Sequence, residues 1–83
     1  MKNKNKTTLI LGGSSDIGTE TTSKFLSKGW KVIAHYNTNN DSLKKLKKIY
    51  VKKLFLIPAN FKNKNSINLF LKKIKRFDIS SLS

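Results

Sequence analysis

The stretch TTLILGGSSDIGTE, residues 7–20, narrows the folds open to this chain more than any other feature. Thr7 to Leu11 is a β-branched and apolar run with no polar alternation, the pattern of a strand buried on both faces of a parallel sheet. A glycine pair breaks it. Ile17, Thr21, Phe25 and Leu26 then recur near helical spacing, and Gly29 stands where a helix C-terminus wants a glycine. A strand that turns through glycine straight into a helix aims backbone N–H groups at one point. The helix N-terminus adds roughly half a positive charge there. Pyrophosphate suits such a point. Gly12 makes the turn, Ser14 and Ser15 offer hydroxyl and N–H groups, Ile17 lies in the first helical turn, and Gly18 lets the helix sit close to the strand.

The remaining chain repeats the alternation. WKVIAHY, residues 30–36, predicts a second strand, and NTNN a loop. Asp41 or Ser42 is expected to cap a helix with Leu43, Leu46, Ile49 and Tyr50 on its apolar stripe and Lys44, Lys45, Lys47 and Lys48 opposite. KLFLIPA predicts a third strand stopped by Pro58. A last helix, capped by Asn65 or Ser66, carries Ile67, Phe70, Leu71 and Ile74, and DISSLS completes no recognisable element. The expected fold is α/β, of β-α-β-α-β-α order with a parallel sheet and right-handed crossovers. Residues 1–6 form a basic N-terminal arm.

Composition sets the rival reading. The net charge is +14, with 18 basic residues against 4 acidic ones in 83. Such a charge suits a polyanion, so the alternative to a nucleotide-binding unit is a small basic module for nucleic acid or another acidic surface. Its best feature is the lysine face KKLKK. Arg76 is the one arginine, and the lysine face lacks interleaved aromatics. Heavy use of Lys, Asn and Ile follows equally from AT-rich codons. Nucleic acid is therefore disfavoured as a partner. There is no cysteine, so no disulfide or thiolate metal site forms. No apolar run is long enough to span a bilayer, and MKNKNK followed by a short apolar stretch is not a signal peptide pattern. The expected location is cytoplasmic, with no membrane partner.

LILGGSSDIGTETTSKFLSKGWKVIAHYNTN resembles the start of a short-chain dehydrogenase/reductase, in particular the 3-oxoacyl-carrier-protein reductase branch. That family opens with T-G-x-x-x-G-x-G. Leu11 takes the threonine position, Gly12 and Gly18 match the outer glycines, and Asp16 replaces the middle one. HYNTN resembles the end of the second strand, where the family selects its nicotinamide cofactor, and places Asn37 there. IPANF resembles the segment whose aspartate meets the adenine; here that position is Asn60, which keeps a carbonyl acceptor. The resemblance implies cofactor contacts at Gly12, Ser14, Ser15, Asp16, Ile17, Gly18, Asn37 and Asn60. No acid follows the second strand before Asp41, which favours NADP(H) over NAD(H). Asp16 weakens but does not exclude binding. A carboxylate ~8 Å from a phosphate charge repels it by roughly 0.5–2 kcal/mol. Without a cofactor the same carboxylate stabilises a helix start by roughly 0.3–1 kcal/mol. His35 is read as a strand side chain packed in the sheet.

The family's Y-x-x-x-K catalytic pair and the N-N-A-G segment are absent. Tyr50 to Lys53 has the wrong offset. The resemblance therefore implies a partial Rossmann fold, with residues 7–83 as the N-terminal half of a dinucleotide-binding domain and a parallel three-stranded sheet ordered 3-2-1. It implies a product that is truncated and catalytically incomplete alone, with the outer edge of the first strand unpaired and prone to self-association.

Overall fold

A computed structural model describes residues 6–77, 79 and 81–82. Residues 1–5 of the expected basic arm lie outside the described residues. Seven elements alternate along the chain: β1 (Thr7–Ile10), α1 (Asp16–Ser27), β2 (Lys31–Tyr36), α2 (Asp41–Ile49), β3 (Leu54–Pro58), α3 (Lys64–Ile74) and β4 (Ser81–Leu82). β1 pairs with β2 from Thr7↔Lys31 to Ile10↔Ala34, and β2 with β3 from Val32↔Leu54 to Tyr36↔Pro58, all parallel. The expected 3-2-1 order is present. It continues on the far side of β1, giving β3-β2-β1-β4.

That fourth strand corrects one expectation. DISSLS is expected to complete no element, which leaves the outer edge of β1 bare. Instead Ser81 and Leu82 pair in parallel with Thr8 and Leu9. Two residues are too few to show a period, so the pattern alone did not mark them. The pairing partner, not local propensity, makes this strand.

Strand alternation sorts the core into two layers. Ile10, Val32, Ala34 and Leu54 point to one face and meet Leu26 of α1 and Leu43 of α2. Leu9, Ile33 and Ile57 point to the other, where Ala59 and Phe70 of α3 cover them. Helices on both faces explain why the first strand carries no polar alternation.

The helix ends differ from expectation in detail. α1 starts at Asp16 with Ser15 as its cap, and its Oγ accepts from Gly18 N–H. It closes at the expected glycine, with Gly29 N–H donating to Leu26 O and Trp30 N–H to Phe25 O. α2 is preceded by Asn40 rather than capped by Asp41 or Ser42; Asn39 Oδ1 accepts from Asp41 N–H at 3.0 Å. α3 is capped by Asn63, whose Oδ1 accepts from Ser66 N–H at 3.1 Å, not by Asn65 or Ser66. Ile49 and Leu71, expected on apolar stripes, are exposed.

Candidate functional site

The site is built where β1 gives way to α1. Leu11, expected as the last strand residue, already lies in the turn. Gly12 has φ +67°, a left-handed backbone that L side chains adopt at a cost. Its N–H donates to His35 Nδ1 at 3.0 Å, and Gly13 N–H donates to the His35 carbonyl at 2.7 Å. Ser15 closes the turn: its N–H reaches Gly12 O at 3.2 Å, and its Oγ donates to the same oxygen at 3.0 Å. A side chain at Gly18 has no room. A Cβ there would collide with Gly12 O and stand 2.8 Å from Gly13 Cα. Helix and turn are in direct backbone contact, as the spacing of Gly12 and Gly18 predicts.

These contacts divide the residues into two groups. Gly12, Gly13, Ser15 and Gly18 spend their polar groups on the turn itself. Ser15, expected to offer hydroxyl and N–H to a ligand, gives both to the fold. The backbone N–H groups of Ser14, Asp16 and Ile17 donate to no partner among the described residues. They lie at the positive end of α1, where orphan donors are the rule. The Asp16 and Ile17 side chains are exposed, Ile17 to 78%.

Two threonines brace the helix. Thr22 is buried and donates to Gly18 O at 2.7 Å, and Thr19 Oγ1 donates to Gly13 O at 3.0 Å. Thr19 also meets Ser42 Oγ at 3.0 Å, which links α1 to the start of α2. This explains why Ser42 does not serve as a cap.

Asn37 is exposed immediately after β2. Asn60 follows β3 and is exposed as well; its Oδ1 accepts from Lys62 N–H at 3.0 Å and its own N–H donates to Ser66 Oγ at 2.8 Å. The carbonyl expected to meet a base therefore already holds one hydrogen bond, with a second lone pair and the amide NH₂ left over. All three candidate segments leave the sheet at the C-terminal ends of neighbouring parallel strands, on one side of it. That is where ligands sit in open α/β sheets.

His35 is the residue whose place the pattern did not give in full. It is buried in the sheet, as expected, at 7% exposure. Its ring also ties the turn to the end of β3, through Nε2 to Ala59 O at 2.9 Å. Phe61 stacks on it at 4.2 Å and Phe70 meets it edge-on at 5.4 Å. Among the described residues no cluster of His, Cys, Asp or Glu could hold a metal ion, and no helix is long and apolar enough to cross a membrane.

A parallel sheet ordered 3-2-1, with a glycine turn packed under the first helix, defines a Rossmann-type α/β fold. Within that class the chain belongs to the short chain dehydrogenase family, whose pattern residues 6–79 match. No curated protein sequence matches it. Among solved structures it is similar to a Burkholderia multivorans protein described as a short-chain dehydrogenase/reductase with bound NADP, with 20% identity and a TM-score of 0.84. The superposition covers 94% of this chain and 35% of that one. A Bacillus thuringiensis protein described as a 3-oxoacyl-reductase gives 22% identity and a TM-score of 0.77 over 93% of this chain and 34% of that one. A short chain dehydrogenase of Bacillus anthracis gives 24% and 0.75 over 95% and 34%. The chain thus spans about a third of the length of these relatives.

Proposed function

We propose that this chain binds the phosphates of a nicotinamide dinucleotide at the start of α1, and that it prefers NADP(H). One observation carries the reading: Ser14, Asp16 and Ile17 keep their N–H groups unspent beside a turn in which the N–H groups of Gly12, Gly13, Ser15 and Gly18 are committed. A pyrophosphate there would accept from these donors at the positive helix end. The ribose and adenine would lie toward Asn37 and Asn60, past the ends of β2 and β3. Asn37 brings no charge against a 2′-phosphate, and the surplus of lysine favours the extra anion. The structure related to this one that holds NADP supports the same choice.

Asp16 is the element that opposes binding. Its carboxylate sits on the first residue of α1, beside the donors. Asp16→Gly removes like-charge repulsion of roughly 0.5–2 kcal/mol, so NADP(H) should bind up to about thirtyfold more tightly. Calorimetric titration of both proteins with NADP⁺ and NAD⁺ tests the reading. Equal or weaker binding by the glycine variant counts against the cradle, and a clear NAD⁺ preference sinks the cofactor choice.

A further inference from the structure

The His35 ring has partners that fix its protonation. Gly12 N–H can only donate, so the Nδ1 it meets at 3.0 Å must present a lone pair. Nε2, 2.9 Å from the Ala59 carbonyl, must then carry the hydrogen, because a carbonyl can only accept. The native contacts are satisfied by one state, the neutral Nε2–H tautomer. Adding a proton at Nδ1 turns the acceptor into a second donor facing Gly12 N–H. One hydrogen bond is lost and two donors are left opposed.

The position of that bond matters. Gly12 is the left-handed residue of the turn, and its carbonyl takes both the N–H and the Oγ of Ser15. Ser15 caps α1 and so aims the first helical turn. His35 holds Gly12, Gly12 holds Ser15, and Ser15 fixes the direction of the free donors at Asp16 and Ile17. The ring itself is clamped by Phe61 and Phe70. Its recorded partners, the Gly12 N–H from the turn, Ala59 and Phe61 from the β3–α3 connection and Phe70 from α3, carry no titratable group. The charges on the neighbouring elements are Lys6 before β1, Asp16, Glu20 and Lys24 on α1, Lys31 at the start of β2, and Lys62, Lys64, Lys72 and Lys73 from the connection through α3.

We propose that His35 is the positioning residue of the phosphate turn and acts there as the neutral Nε2–H tautomer, so that dinucleotide affinity depends on an acceptor at the place of Nδ1. This rests on the binding reading above.

The test uses the whole 83-residue chain. Long-range ¹H–¹⁵N correlation spectra of the cofactor-free protein at about pH 8 should show Nε2 protonated and Nδ1 bare. The opposite tautomer, or an imidazolium at that pH, overturns the proposal. NADP⁺ titrations at about pH 8 then compare the native chain with His35→Asn and His35→Phe. Asparagine puts an oxygen acceptor close to the place of Nδ1; phenylalanine keeps the ring stack without an acceptor. His35→Phe should bind about fivefold or more weakly than the native chain, since one hydrogen bond is at stake, and His35→Asn should recover most of that loss. Equal affinity of the asparagine and phenylalanine proteins overturns the proposal. If no protein binds NADP⁺, the binding reading fails, and the protection factor of the Gly12 amide decides the role of His35. Strong protection of that amide in the native chain supports the pin, and exchange at the unprotected rate refutes it. That measurement needs no variant, so a misfolded substitution leaves the outcome decidable.

Discussion

At the residue scale, two glycines of one turn are required for different reasons, and substitution separates them. Gly12 has open space where a Cβ would go but a positive φ, so Gly12→Ala is strained by backbone conformation alone, at about 1–2 kcal/mol. Gly18 is helical, and there a Cβ meets the backbone of Gly12 and Gly13. Backbone cannot swing aside as a flexible side chain does. Gly18→Ala should therefore destabilise the fold by about 1–3 kcal/mol, the clash outweighing the ~1 kcal/mol that alanine gains in a helix. Urea denaturation of the two variants checks both numbers. A neutral or stabilising Gly18→Ala would show that α1 does not pack on the turn as described. Ser15→Ala removes the cap from Gly18 N–H and the second bond to Gly12 O, and should cost about 1 kcal/mol in the same assay.

At the element scale, the three long strands and three helices are legible in the sequence because each has a period. The unbroken apolar run of β1, the alternating faces of β2 and the leucine spacing of α2 each demand a buried surface. The glycine turn is legible from spacing: Gly12 and Gly18 meet in space because a six-residue offset from strand end to helix permits it. Helix caps are less legible. The stretches NTNND and NKNS, which run into the first residues of α2 and α3, each hold several residues able to cap. The choice falls to tertiary contacts: Ser42 is drawn to Thr19 and Ser66 to Asn60, which leaves the preceding asparagines at the helix starts. The bond from Gly12 to His35 crosses 23 positions, and no local pattern announces it. β4 is not legible because its signal lies in the partner strand. It has a consequence that can be measured. Ile79 packs on the Leu9, Ile33 and Phe70 layer, and Ser81 and Leu82 cover β1. Deleting residues 79–83 should bare that edge and drive self-association. Sedimentation velocity of the shortened and full chains reads this out; a shortened chain that remains a monomer contradicts it.

At the scale of the whole molecule, charge and the spacing of tyrosine and lysine each give a testable expectation. A net charge of +14 on 83 residues repels itself in the compact state. Salt screens this within about 10 Å at 0.1 M, so the melting temperature should rise as sodium chloride is raised from low to moderate concentration. A melting temperature that falls over that range would mean that attractive pairs dominate. The 83 residues contain two tyrosines, Tyr36 and Tyr50, and neither has a lysine four positions on. Carbonyl reduction needs a proton donor placed against the developing alkoxide, worth roughly 10²–10⁴-fold, and orientation of substrate against cofactor is worth more. We expect no NADPH oxidation by this chain dependent on a carbonyl substrate. Steady turnover by the purified chain would refute that expectation.

The register of β4 on β1 also fixes an order of events. β1 with β2, and β2 with β3, each join strands separated by a single helix. Thr8 and Ser81 meet across about 70 intervening residues, and closing a flexible loop of that length costs about 4 kcal/mol. Once β1, β2 and β3 have formed, the intervening chain is already folded back and most of that entropy has been spent. β4 should therefore dock last when the chain folds and leave first when it unfolds, reporting on the β1–β2–β3 unit rather than nucleating it.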